Sequence, residues 1–157
     1  MRNEMNRDDY ESYLEELFHA DIPITGGMRI RVGAYDGKSL VLNAPLEPNV
    51  NDKGTAFGGS IFSLLVLSGW GLLHLKLKEE GIPAEVMIHK GEITYTLPVK
   101  AALTACCELP DEQSIGRFIQ DVRTRARGKI LLNASIICDN RTAVKFSGNY
   151  VAIATSG

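Results

Sequence analysis

Nineteen consecutive positions, Phe57 to Leu75, carry no formally charged side chain in this chain of 157 residues. A run of that length approaches the ~20 residues that cross a bilayer. Against a membrane span, it holds Gly58, Gly59, Ser60, Ser63, Ser68, Gly69, Gly71 and His74, and only a shorter stretch is strongly apolar. Ile61, Phe62, Leu64, Leu65, Val66, Leu67, Trp70, Leu72, Leu73, Leu75 and Leu77 occupy every face of a 3.6-residue wheel. A helix apolar all round must be surrounded by protein. Lys76, Lys78, Glu79 and Glu80 mark its exit to solvent, and Gly81-Ile82-Pro83 stops it. The expectation is a buried central helix over about 58–80, with no membrane association.

What surrounds that helix reads mainly as strand. Tyr10, Leu14, Leu17 and Phe18 form one apolar stripe behind Asp8, Asp9 and Glu11, so a short helix over about 8–20 is expected. Pro23 and Gly26-Gly27 end it. Met28 to Tyr35 and Ser39 to Ala44 flank Asp36-Gly37, a strong hairpin signal. Pro45 to Thr55 is polar and reads as a loop. Ala84 to Val99 is apolar first at even and then at odd positions, a change of phase that suggests a bulge near Lys90-Gly91. Ala101 to Leu109 is a further strand, and Asp111 to Arg125 fits a helix with Ile115, Phe118, Ile119 and Val122 on one face. Lys129 to Asp139 and Thr142 to Ala154 alternate and are joined through Asn140. Runs of strands with one sequestered helix indicate an α+β class. An antiparallel sheet of about six strands wrapped around the helix, in a single domain over 1–157, explains why that helix lacks a polar face.

Charge and cysteines narrow the function. Seventeen Lys and Arg against nineteen Asp and Glu give a net charge of −2, which argues against a nucleic-acid binder. Cys106, Cys107 and Cys138 are odd in number, and adjacent strand residues point to opposite faces, so neither a disulfide framework nor a shared metal is indicated. The three histidines lack ligand spacing, and no metal is expected. Met1 to Tyr10 is charged and polar, unlike the start of a secretory signal, and a reducing cytoplasmic location is expected.

The local sequence around the helix start carries a resemblance. Asn51-Asp52-Lys53-Gly54-Thr55-Ala56-Phe57-Gly58-Gly59 is similar to the Asn…Gly-Thr…His-Gly-Gly segment of phenylacetyl-CoA-type hotdog thioesterases. Pro45-Leu46-Glu47-Pro48-Asn49-Val50-Asn51, Gly54 to Ser60 and Ser68-Gly69-Trp70-Gly71 resemble more closely the thioesterase-like family found alone or as the C-terminal half of YiiD-type acetyltransferase fusions. Ile93-Thr94-Tyr95 with Pro98-Val99, and Phe146-Ser147-Gly148 with Tyr150-Val151, also fit that family. The resemblance runs from about residue 10 onward. It implies a hotdog fold, activity on acyl-CoA or acyl-carrier-protein thioesters, and a homodimer or higher assembly with the cleft between subunits. A lone curved sheet would also leave strand edges open. No cofactor is implied beyond the coenzyme A or phosphopantetheine of the substrate.

Two glycines at a helix start let a ligand approach the backbone. The N–H groups of Gly58, Gly59 and Ser60 would face outward with the positive helix end behind them, suited to a thioester oxyanion. The competing reading is tight packing of loop on helix. Asn51 matches the active-site asparagine of the resembling families and could donate to the same oxyanion. Without that match it reads as a turn residue, and Asn49 is its rival. Thr55, Phe57, Ser63 and Lys53 are further candidates for substrate contact. Arg123, Arg125, Arg127 and Lys129, with Arg117, form a basic cluster suited to phosphates or an acidic carrier surface, or else to a solvated helix end.

The departures shape the chemistry. Phe57 stands where the phenylacetyl-CoA-type enzymes have His, and Val66 where they have an acidic residue. No Asp or Glu occurs between Lys53 and Lys78. Hydrolysis needs an activated water or a nucleophile. Decarboxylation of a malonyl thioester needs only a desolvated carboxylate and donors for the enolate, and members of the resembling family have been linked to it. Hydrolysis is therefore the family default, malonyl-thioester decarboxylation the alternative, and a non-catalytic acyl-thioester binding module a third reading. Asp52, His74, His89 and Ser68 read as solvated or structural groups.

Overall fold

The computed structural model describes residues 5–156. Helix α1 (Arg7–Asp21) opens on a capping box. Asn6 accepts from the Asp9 N–H, and Asp9 accepts in return from the Asn6 N–H. A one-turn helix α2 (Ile24–Gly27) follows, then β1 (Arg31–Tyr35) and β2 (Ser39–Ala44). After the long α3 (Gly58–Glu79) come β3 (Ala84–Tyr95), β4 (Leu103–Glu108), α4 (Glu112–Arg125), β5 (Arg127–Cys138) and β6 (Arg141–Ala154). The strands form one antiparallel sheet in the order β1-β2-β4-β5-β6-β3.

The sheet curls around α3, as the hotdog arrangement requires. Eleven residues of α3 are buried, Leu64, Leu65, Leu72, Leu73 and Leu75 completely. By length and composition α3 could cross a membrane; here its apolar surface lies against the sheet. Two hydrogen bonds fix its rotation. Tyr150 donates through its hydroxyl to the Val66 carbonyl at 2.7 Å, and the Trp70 indole donates to Val86 at 2.8 Å. Cys107 faces this core, where burial pushes its thiol up to about 12, while Cys106 lies on the other face.

Several boundaries differ from the sequence reading. Met28 and Arg29 are not strand: α2 ends there, and Arg29 takes the left-handed region at φ 55°. The loop over 45–55 holds a 3-10 turn at Glu47–Asn49. The strand expected to reach Val99 stops at Tyr95, and its bulge falls at His89, between Ile88 and Lys90. The following strand is confined to Leu103–Glu108, and β5 starts earlier, at Arg127. The β5–β6 turn places Asp139 and Asn140 at φ 51° and 59°, the two positive values a tight hairpin demands.

The two sheet edges are treated differently. On β1, the outward N–H groups of Val32 and Tyr35 donate to Glu15 and Glu11 of α1, at 2.9 and 2.8 Å. On the other edge, β3 has β6 as its one strand neighbour among the described residues, over twelve residues.

Candidate active site

The start of α3 is built from three pieces. The loop over 50–56 closes on itself by the Val50–Ala56 bridge and is tied to the rest by Ala56 N–H donating to the Val99 carbonyl at 2.8 Å. Phe57 is the N-cap in extended conformation, and its own N–H donates to the Asn49 carbonyl at 2.7 Å. Tyr95, at the end of β3, donates through its hydroxyl to the Gly58 carbonyl at 2.8 Å.

Among the described residues, no side chain caps α3. The other two long helices are capped from within: Asn6 serves α1, and Asp111 accepts from the Ser114 N–H of α4. The first N–H groups of any helix lack intrahelical partners. Among the described residues, no side chain accepts from the Gly58, Gly59 or Ser60 N–H groups. Gly59 is exposed, and a Cβ there would stand 2.5 Å from the Phe57 ring. Glycine thus lets an exposed phenyl ring fold over the first turn. Phe57 (56% exposed) and Tyr95 (49%) make an aromatic rim on either side.

The two asparagines separate clearly. Asn49 is 1% exposed, and its amide donates to the Met28 and Pro45 carbonyls at 2.9 and 2.8 Å. Both partners are acceptors, so the amide orientation is fixed with Oδ1 buried and unpartnered. Asn49 is therefore a brace between loop and α2. Replacing it with Leu leaves one buried and one part-buried carbonyl without donors, and we expect a loss of about 2 kcal/mol, read as a lowered denaturation midpoint. Asn51 is half-buried. Its Oδ1 accepts from the Lys53 and Thr55 N–H groups, at 2.8 and 3.1 Å. Its Nδ2 donates to Thr55 Oγ1 at 2.8 Å, and its second contact, to the Ala56 carbonyl, is a long 3.5 Å. The turn role and a spare donor thus coexist in one side chain.

The other candidates fall into three groups. Thr55 is held by Asn51, and Ser63 donates to the Gly59 carbonyl at 2.9 Å, so both belong to the frame around the first turn. Lys53 is exposed and paired with its neighbour Asp52 at 3.0 Å. The basic cluster is not beside the helix start of its own chain. Arg123 is bound to the Glu80 carbonyl and carboxylate, at 3.1 and 2.8 Å, beyond the far end of α3. Gly58 and Glu80 are 22 residues apart, about 33 Å along a helix. Arg127 and Lys129 pair with Ile153 and Val151, which pair in turn with Glu85 and Met87 at the start of β3. Tyr95 was not singled out as a site residue from sequence. The signal was the Ile93-Thr94-Tyr95 segment, but nothing in strand periodicity shows that its hydroxyl reaches a helix carbonyl.

His74 is satisfied, as a helix histidine in an apolar segment should be. Its Nε2 lies 2.9 Å from the Tyr13 hydroxyl, and its ring stacks on Trp70 at 4.9 Å between centroids. Burial, with the Lys78 charge, holds its pKa below the usual imidazole range.

The family model described as "Putative thioesterase (yiiD_Cterm)" matches residues 11–154. The chain belongs to this family. Among solved structures, this YiiD_C family member is similar to a protein of unknown function from Chlorobaculum tepidum TLS. The two are 34% identical with a TM-score of 0.91, over 95% of this chain and 97% of that one. It is also similar to a protein from Shewanella oneidensis described as a putative thioesterase, with 27% identity and a TM-score of 0.84 over 93% and 99% of the two chains. The PaaI protein of the E. coli phenylacetic acid degradation operon has the same fold, with 13% identity and a TM-score of 0.67 over 97% and 98%.

Proposed function

We propose that this YiiD_C family member acts on acyl thioesters carried by coenzyme A or an acyl-carrier protein, and that the start of α3 is its reaction centre. The observation that carries this reading is the uncapped, glycine-lined first turn between Phe57 and Tyr95. A thioester oxygen set against the Gly58, Gly59 and Ser60 N–H groups gains charge in the transition state, where fixed donors act most strongly. The second N–H of Asn51 is the side-chain donor closest to that role. Hydrolysis then forms a C–O bond to water and breaks the C–S bond, with the departing thiolate taking a proton.

A second reading has its own support. Asn51, Thr55, Phe57, Ser63 and Tyr95, the side chains placed around the first turn, include no carboxylate or imidazole to activate water. Decarboxylation of a malonyl thioester requires none. The C–C bond to the carboxylate breaks, CO₂ leaves, the electron pair becomes an enolate on the oxygen held by the N–H groups, and water returns a proton.

The unguarded β3 edge suggests how the site is completed. A two-fold partner pairing antiparallel along β3 would lay the Ala84 end of one chain beside the Tyr95 end of the other. Arg125, Arg127 and Lys129 of the partner subunit would then lie on the helix-start side of this chain, in reach of the phosphates at the far end of the pantetheine arm. A dimer of this kind predicts sedimentation at twice the chain mass.

The deciding assay is mass spectrometry of malonyl-CoA, malonyl-carrier protein and a panel of acyl-CoAs after incubation with the protein. Free thiol plus acid identifies the hydrolase. Loss of CO₂ with the thioester intact identifies the decarboxylase. Binding without turnover leaves a binding module, and no binding to any thioester refutes the reading.

A further inference from the structure

Near the other end of α3 lies a cavity of about 420 Å³, within the ~300–1,000 Å³ range of small-molecule sites. His74 on its wall is 16 residues from Gly58, about 24 Å along the helix. Its polar lining groups are Tyr13, His74, Lys78 and Thr155, set among apolar side chains such as Leu77 and Ile82, and none of its lining residues is acidic. The Lys78 ammonium is held 4.4 Å above the Tyr13 ring, and among the described residues no carboxylate lies within ion-pair distance of it. The Tyr13 phenol is kept protonated by burial and by Asp21, so it stays a donor. Asp21 and Glu85 line a neighbouring cavity of about 390 Å³, which shares His74 as a wall.

These groups sort the chemistry of an occupant. An exposed, unneutralised cation and a protonated phenol attract an anion. The carboxylates of the neighbouring cavity direct that anion to the Lys78 side of His74. One face of the His74 ring is covered by Trp70, at 4.9 Å between centroids, and its Nε2 edge is taken by the Tyr13 hydroxyl. An alkyl chain finds Leu77 and Ile82 on the cavity wall. We propose that this cavity binds a small alkyl monocarboxylate, with its head group on Lys78 and Tyr13 and its chain against Leu77 and Ile82. The His74–Tyr13 pair adapts to it by a change of tautomer. With the proton on Nε2, His74 donates to the Tyr13 oxygen and the Tyr13 hydroxyl is free to donate to the carboxylate. The proposal goes beyond the thioester reading and does not depend on it.

The test needs no turnover, so its failure leaves the thioester reading untouched. The full chain, labelled at histidine, is titrated with hexanoate and with hexanol at constant pH and ionic strength and followed by imidazole NMR, with His74 assigned through His74→Gln. Expected is a saturable shift of the His74 signals with hexanoate and none with hexanol, while His19 and His89 stay still. Lys78→Met keeps the alkyl stem and removes the charge, and should weaken hexanoate binding at least about tenfold. A His74 signal that does not move, an equal response to hexanol, or undiminished binding in Lys78→Met each overturns the proposal.

Discussion

Asn51→Ala is expected to slow thioester turnover about 10²-fold or more, the cost typical of losing one oxyanion donor. The geometry requires a second variant to interpret that loss. Asn51 braces the loop through its contacts with Lys53 and Thr55, so alanine removes the brace together with the donor. Thr55→Val separates the two. It removes the hydroxyl that now receives the Asn51 Nδ2 hydrogen and leaves both backbone bonds to Asn51 Oδ1 in place. If Asn51 serves the transition state, Thr55→Val retains most of the activity while Asn51→Ala does not, and the loss appears in kcat. If Asn51 serves only as a brace, Thr55→Val, which loosens the same loop, lowers the rate along with the denaturation midpoint, as Asn51→Ala does. Equal turnover in wild type and Asn51→Ala removes the side chain from the mechanism and leaves the backbone N–H groups alone.

The central helix was legible because the constraint is thermodynamic. A segment without charge from Phe57 to Leu75 has no stable place in water, and α3 spans Gly58–Glu79 against an expected 58–80. The hairpins at Asp36-Gly37 and Asp139-Asn140 were legible for a stereochemical reason, since few residues accept the positive φ values of tight turns. Strand ends were less so. Tyr95 to Val99 remains apolar and extended in character, but pairing with β6 stops at Tyr95↔Val144, and the chain turns away to meet Ala56. The site divides in the same way. The glycine pair allowed either ligand approach or tight packing of loop on helix, and at Gly59 the structure sets the Phe57 ring against the backbone, which is packing. The basic cluster looked like one unit because its residues are near in sequence. Arg123 is instead committed to Glu80, and the others lie at the far end of the sheet, a separation set by register that composition cannot carry.

Gly69→Ala should cost about 3 kcal/mol of stability, although alanine is the better helix former by roughly 1 kcal/mol. The reason lies across the core. A Cβ at Gly69 would run into the hydroxyl and Cζ of Tyr150, which is fully buried. Overpacking of this kind costs about 1–3 kcal/mol, and displacing the ring also breaks its hydrogen bond to the Val66 carbonyl, worth about 1 kcal/mol. For a chain of this length the sum corresponds to a melting point lower by about 6–12 °C. Tyr150→Phe alone should cost about 1 kcal/mol, because it leaves the ring and removes one bond. In the double variant the hydroxyl that Cβ strikes is gone, so the two losses should fall short of additivity by about 1 kcal/mol or more. Additive losses would mean that the ring, not its hydroxyl, is what Gly69 accommodates. Wild-type stability in Gly69→Ala would mean that α3 can slide relative to β6, and that the Tyr150–Val66 bond does not fix the position from which the helix start presents Gly58 and Gly59.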